Sequence, residues 1–324
     1  MNENEKLFGQ LIIGPAGSGK TTYCNVISKY LNNLNRDVII VNLDPDNETF
    51  PYNCHLNIHE MIRMNEVMQN ENLGPNGSFL YCIDFLYKNI EWLYRRINEE
   101  FIKAKQRIQS NVTNNVDHRR PYILFDCPGQ IELYTNYPVF KKLIHHLLNT
   151  NLDPETSEKR RQKFPIDMRL VAVNIVDSHY ANDPTKFITV VLNSLISMLH
   201  IEAPFINVLS KIDLIERYGE IDFGLDFYCE LPDLNRLVDR ISDDPRLARY
   251  KKLTEAIASI IENYAIVSYV PLNINDTEMI TKVITLVDRA NGFHIADLSS
   301  NQDVFNCYQK IQADFEASKY GDLR

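Results

Sequence analysis

Cysteine pairs at C-x-x-C spacing are missing from this sequence: Cys24, Cys54, Cys82, Cys127, Cys229 and Cys307 are scattered singly. The common zinc spacings and a disulfide framework are therefore not suggested, and the thiols read as small buried hydrophobes. Excess positive charge is missing too. Lys and Arg number 34 against 43 Asp and Glu, a net charge of -9, whereas a general nucleic-acid binder carries a basic surface that displaces counterions from phosphates. Any phosphate affinity must be local. No stretch of about 18 apolar residues reads as a membrane span, and the start Met-Asn-Glu-Asn-Glu-Lys has no apolar run behind it. The expectation is a cytoplasmic protein with no membrane or direct nucleic-acid partner. No internal repeat is visible.

What is present is enough apolar sequence for a sizeable core, 44% of 324 residues, in one large α/β domain or two small ones. Short apolar or β-branched runs at 9–13, 38–43, 122–126, 169–176, 204–209 and 266–270 alternate with helical patterns. That alternation predicts a mainly parallel sheet with helices on both faces, where ligands sit outside the carboxyl ends of the strands. Between the second and third runs, helical patterns at 56–71 and 80–108 flank Gly74-Pro75-Asn76-Gly77 and predict an inserted helical unit spanning about 54–115. Phe79, Leu80, Phe85, Leu86, Ile90 and Leu93 gather around Trp92 in it, which reads first as helix packing and second as a client groove. Segments 109–120 and 151–165 are polar, turn-rich loops, with Glu158–Lys163 a solvated face.

The first apolar run leads directly into Gly14-Pro15-Ala16-Gly17-Ser18-Gly19-Lys20-Thr21-Thr22, the pattern of a loop whose backbone N–H groups cradle phosphates at a helix N-terminus. Gly14, Gly17 and Gly19 permit the turn, with Ser18 between them. Lys20 reaches the β and γ phosphates, and the Thr21 hydroxyl takes a place on Mg²⁺. Thr22 joins the contact set, although capping or packing reads first for it. A helix from about Lys20 to Leu34 follows, with Val26, Ile27, Tyr30, Leu31 and Leu34 on one face.

Other strand ends carry matching chemistry. After the third run stands Asp126-Cys127-Pro128-Gly129-Gln130. Asp126 can hold the metal, the Gly129 N–H can face a γ-phosphate, and Gln130 can orient water. A plain Pro-Gly turn is the alternative. After the second run, Asp44 in Asn42-Leu43-Asp44-Pro45 can polarise water or simply start a turn. After the fifth run, Ser210-Lys211-Ile212-Asp213 places a carboxylate that can accept two hydrogen bonds from guanine, which adenine cannot donate, while the Lys211 stem packs on the base. Asp213 as a helix cap is the alternative.

With these motifs, Gly74-Pro75-Asn76 resembles the signature of the GPN-loop GTPases. The resemblance runs over about residues 7–293 and includes FGQLIIGPAGSGKTTYC, VNLDPDN, LGPNG, FDCPGQIELYT, NIVDSHYANDPTKFI, SMLHIEAPFINVLSKIDLI and VPLNI. Ser210 stands where the guanine motif usually begins with Asn, which sets the chain nearer one eukaryotic branch than another. The resemblance implies an α/β, three-layer P-loop NTPase of the dimerising, SIMIBI-like class, with a GTPase domain over 1–293 and a partly helical tail over 294–324. It implies a GTP/GDP cycle with Mg²⁺, completed across a homodimer or a heterodimer with a paralogue. By similarity, Asn76 reaches toward the phosphates while Asp44, Gln130 and Glu132 hold the attacking water. Pro15 occupies the position from which many relatives in the wider class supply a lysine. Asp46 departs from the family's usual alanine. The resemblance further implies a factor for assembly and nuclear import of RNA polymerase II and related polymerases, shuttling between cytoplasm and nucleus. A nucleotide-holding scaffold without hydrolysis, and a P-loop kinase, are the competing classes; no arginine-rich lid favours the kinase.

Overall fold

Seven parallel strands make up one sheet in the order β3-β2-β4-β1-β5-β6-β7. They are β1 Glu5–Ile13, β2 Asp37–Asn42, β3 Leu56–Asn57, β4 Pro121–Asp126, β5 Ile166–Asp177, β6 Phe205–Ser210 and β7 Tyr269–Leu272. The computed structural model describes residues 5–34, 36–110, 120–148, 158, 164, 166–219, 221–242 and 250–293. The loop predictions at 109–120 and 151–165 and the tail from 294 fall largely or wholly outside these residues.

Alternation along the strands builds two buried faces. Leu7, Leu11 and Ile13 of β1 join Ile123 and Phe125 of β4 on one face, and Phe8 and Ile12 join Tyr122 and Leu124 on the other. Helices α1 (Lys20–Asn33) and α12 (Thr277–Asn291) cover the second face with Tyr23, Ile27, Leu31, Val283 and Val287. Helices α2 (Met64–Asn70), α3 (Pro75–Lys88), α4 (Ile90–Ser110), α5 (Glu132–Thr135) and α6 (Pro138–Leu148) come next in the chain. Of these, α3, α4 and α6 cover the first face. Then follow α7 (Pro184–Ile201), α8 (Ile215–Tyr218), α9 (Leu225–Glu230), α10 (Asn235–Ser242) and α11 (Lys251–Tyr264). Here α7, α9, α10 and α11 close a third cluster around Val176 and Leu209. Each fully buried Leu, Ile or Phe contributes about 1.5–3 kcal/mol, and the result is a three-layer α/β fold.

Local chemistry sets the helix starts. Asp183 accepts from the N–H groups of Thr185 and Lys186, with Pro184 in the first turn of α7, and Asp276 caps α12 in the same way. The Gly74-Pro75-Asn76 tripeptide is the start of α3: Gly74 precedes it in extended conformation and Pro75 occupies its first turn.

Several expectations change. The helical pattern at 56–71 begins instead as β3, paired with Val41 and Asn42, followed by a 3-10 turn fixed by an Asn57/Glu60 capping box. The pattern at 80–108 is two helices, and the first ends at Lys88, capped by Asn89, whose side chain donates to the Phe85 carbonyl. On α1 the buried side is Tyr23, Cys24, Ile27 and Leu31, while Leu34 is exposed past the helix end. The last strand is Tyr269–Leu272 rather than 266–270, with Ile266 exposed. Phe79, Leu86 and Leu93 are buried in the core, so helix packing accounts for them. Contrary to the sequence reading, α7 is long and apolar enough to cross a membrane by length and composition, with mean hydropathy 1.3 over 18 residues. Its Ser, Thr and Asn disguise it as ordinary sequence; Phe187, Val191 and Leu195 pack into the third cluster.

Candidate functional site

Because every pairing is parallel, the carboxyl ends of the strands share one edge, and the residues closing β1, β2, β4, β5 and β6 meet there. The chain leaves β1 at Gly14 with φ +137°, where a Cβ would stand 2.3 Å from the Ile175 carbonyl oxygen, so only glycine fits. Gly17 and Gly19, at φ +77° and +101°, carry the loop into α1. No side chain caps that helix, which leaves its first N–H groups facing the cleft. Inside the loop the Ser18 hydroxyl is buried without a hydrogen-bond partner, a costly state that a polar ligand would relieve.

Lys20 is 7% exposed and its Nζ donates to the Pro15 carbonyl at 3.0 Å, lying across its own loop. Burial pulls its pKa down, opposed by the charges of Asp126 and Asp44. Burial likewise pushes both carboxyls up, Asp126 against hydrogen bonds from Tyr52 and Thr21, and Asp44 against one from the Asp46 N–H. Asp44 is oriented by its surroundings: its N–H donates to Asn42 Oδ1 at 3.1 Å, and its Oδ1 accepts the Asp46 N–H at 3.0 Å.

A cleft of about 630 Å³ is lined by Gly17, Gly19, Lys20, Thr21 and Thr22 together with Asp44, Asp46, Asn47, Gly129, Gln130, Lys211 and Phe79 of α3. Gly129 presses onto the loop: a Cβ there would stand 3.0 Å from Ala16 Cα and 3.1 Å from Lys20 Nζ. Asp126, 1% exposed, lies beneath, bonded to Thr21. Thr21 and Asp126 offer hard oxygen donors, the chemistry that suits Mg²⁺, and the negative charge of the buried Asp126 carboxylate is what a cation would offset. Among the described residues no group of three or more His, Cys, Asp or Glu could hold a metal. A cation that keeps most of its coordination for phosphates and water needs no such group.

At the far end, Lys211 Nζ donates to the Gly17 carbonyl at 2.7 Å and to Asp177 Oδ2 at 2.6 Å. Ser210 Oγ lies 2.9 Å from the Ser18 carbonyl and 3.0 Å from that of Val176. Its single proton serves one of the two at a time, where an Asn amide would offer two N–H donors. Asp213 is exposed in the turn Ile212–Leu214 and makes no cap bond there. The structure thus gathers the loop residues with Asp44, Gln130, Gly129 and Lys211 around one cleft, with Gly14 and Ser18 buried in the loop itself and Asp126 below. Asn76, Glu132 and Asp213 stand exposed and do not line it. Sequence reasoning missed Tyr52, Asn47 and Asp177. Asp177 ends β5, so the strand-end rule that found Asp44 and Asp126 applies to it; Tyr52 sits in an irregular link that carries no such signal.

A family model described as "Conserved hypothetical ATP binding protein" matches residues 12–293. The chain is 42% identical over 311 residues to GPN-loop GTPase 2 of Danio rerio, covering 96% of this chain and 89% of that protein. It is 41% identical over 295 residues to GPN-loop GTPase QQT1 of Arabidopsis thaliana, covering 91% and 88%. In fold it is similar to the crystal structure of a GTPase in apo form from Pyrococcus abyssi, with TM-score 0.54 and 24% identity over 87% of this chain and 97% of that one. Likeness at this level along nearly the whole length, over a cleft built as described, makes the chain a member of the GPN-loop GTPase family.

Proposed function

We propose that this protein binds GTP with Mg²⁺ in the cleft and hydrolyses it to GDP and phosphate, acting as a dimeric switch. The observation that carries the reading is the convergence of Lys20, Thr21, Asp44, Gly129 and Gln130 on one cleft, with Asp126 beneath and Lys211 fixed at its far end. Phosphoryl transfer asks for positioning and charge neutralisation rather than a strong nucleophile. Lys20, pulled off the Pro15 carbonyl by a triphosphate, would neutralise the β and γ oxygens together with the first N–H groups of α1. Bound Mg²⁺, held by Thr21 and Asp126, would supply further neutralisation of phosphate charge. Asp44 and Gln130 orient a water whose oxygen bonds to the γ-phosphorus as the bond to the β-γ bridging oxygen breaks. The electron pair leaves with GDP, and the water proton passes to phosphate.

The family model's description names ATP, whereas Asp213 offers the acceptor pair that suits guanine, with Lys211 beside it. Guanine is the base this reading assigns. Asn76 and Glu132, exposed outside the cleft, are assigned to the dimer, where each site would draw on its partner. Turnover per chain measured against protein concentration tests this. GTP hydrolysis that rises with concentration and falls in Asn76→Ala is expected, while concentration-independent turnover unaffected by Asn76→Ala contradicts the dimer. With no arginine among the described residues that line the cleft, turnover is expected to be slow. The finer reading is of a switch, homomeric or paired with a paralogue, that serves RNA polymerase II assembly and import from the cytoplasm; it rests on the family resemblance. Its check is the location of polymerase subunits in depleted cells: cytoplasmic retention is expected, and normal nuclear import contradicts it.

A further inference from the structure

We propose that Tyr52 is a positioning residue that aims the Asp126 carboxylate at the metal of the nucleotide site. Tyr52 lies in the link between β2 and β3, which has no regular secondary structure, yet its ring is buried with Tyr23 and Cys24 in the cluster under α1. A phenylalanine would satisfy that burial equally well. What the tyrosine adds is its hydroxyl, which donates to Asp126 Oδ2 at 2.8 Å. A buried, charge-assisted bond of this kind occupies one lone pair of Oδ2 and, with the bond from Thr21, orients the carboxylate, whose remaining lone pairs can serve a ligand.

The link itself is held on both sides. His55 donates its N–H to the Ile40 carbonyl at 2.9 Å and accepts the Ile40 N–H at Nδ1 at 3.1 Å. On the near side, Asn42 bonds both the N–H and the carbonyl of Asp44. Phe50 stacks on Tyr52 with ring centroids 5.4 Å apart. From the same link Asn47 donates to Thr21 Oγ1 at 3.4 Å. Both side chains assigned to the metal, Thr21 and Asp126, therefore receive a hydrogen bond from this one segment, which also begins with the water-orienting Asp44. The two bonds differ in kind. The Asn47 contact to Thr21 is long and takes one of the two lone pairs of that hydroxyl, whereas the Tyr52 bond is short and engages Asp126 at Oδ2, in addition to the bond Asp126 accepts from Thr21.

The proposal rests on the reading that Asp126 holds Mg²⁺. Its test is a Mg²⁺ titration of the binding of a fluorescent GTP analogue to the full-length chain, as wild type, Asp126→Asn and Tyr52→Phe. Tyr52→Phe is expected to raise the half-saturating Mg²⁺ concentration about 10-fold or more, with analogue binding in EDTA close to wild type and a cooperative melt retained at a lowered midpoint, because a buried carboxylate loses one hydrogen bond. Phe50→Leu, which keeps the hydroxyl but removes the stacked ring, is expected to move the Mg²⁺ midpoint the same way by less. A Tyr52→Phe midpoint within about twofold of wild type overturns the proposal. Equal weakening of binding with Mg²⁺ and in EDTA also overturns it, because it marks a merely structural ring. If Tyr52→Phe does not fold, Phe50→Leu decides by the same criteria. If wild type shows no Mg²⁺ dependence, or Asp126→Asn keeps it, the underlying metal assignment is what fails.

Discussion

Replacing Asp177 by Asn isolates the far end of the cleft. The Asp177 carboxylate is 10% exposed and meets Lys211 Nζ at 2.6 Å, with Lys211 itself 31% exposed. Hydrogen bonds to charged groups contribute about 1.5–3 kcal/mol, and the partial exposure of the lysine reduces this to about 1–2 kcal/mol. If that energy positions Lys211 for the base, nucleotide affinity should fall roughly 5- to 30-fold. The fold should be spared, because an Asn side chain still accepts the His179 N–H that Asp177 Oδ1 holds at 3.0 Å. Competition against a fluorescent guanine nucleotide, with Mg²⁺ present, reads the affinity directly. GTP and GDP should weaken alike, since Lys211 acts at the end away from the γ-phosphate. Affinities within twofold of wild type, or a loss confined to GTP, would refute the reasoning.

Three further outcomes follow from the geometry. Gly14→Ala combines a left-handed φ with a Cβ 2.3 Å from a carbonyl oxygen and should cost on the order of 3 kcal/mol, whereas Gly17→Ala, at φ +77° with open space around it, should cost about 1–2; urea unfolding separates them. Arg36 bonds both oxygens of Asp288 at 2.9 and 2.5 Å, and its guanidinium lies 3.9 Å from the Phe293 ring centroid. Arg36→Met strands a carboxylate 2% exposed and should cost about 3–5 kcal/mol, most of it recovered in Arg36→Met/Asp288→Leu, as thermal and urea melts of the three proteins would show. Burial holds the His55 pKa below the ordinary histidine value of 6.5. The unfolded chain therefore takes up a proton that the fold resists, and stability should fall as the pH drops from 6.5 through the lower folded value. His55→Asn, which can still accept the Ile40 N–H, should flatten that part of the stability profile in urea melts at a series of pH values.

Much of the site was legible because its residues sit where strands end. The runs around Leu11, Leu124 and Val208 announce buried parallel strands, and in such a sheet the next few residues face the ligand. Asp44, Asp126 and Lys211 were found by that rule, and Asp177 obeys it. The short β3 was not legible, because Leu56-Asn57 becomes a strand only by pairing with Val41 and Asn42. Its neighbours supply enough apolar residues to imitate a helix. Leu34 continues the apolar rhythm of α1 but is 49% exposed, since the helix stops at Asn33 before that turn can pack. Tyr52 was invisible for a different reason. Its partner Asp126 is 74 positions away, and no local period connects an irregular link to a strand on the neighbouring register. Asn76 shows the opposite case: the tripeptide is conspicuous as sequence, and in the fold it is an exposed helix start.

The most direct test of the central claim is Mg²⁺-dependent hydrolysis of GTP and of ATP, side by side, by wild type and Lys20→Ala. The account predicts turnover of GTP that excess ATP does not displace, and a fall on the order of 100-fold or more when Lys20 is removed. Equal use of ATP, or wild-type turnover in Lys20→Ala, would contradict it.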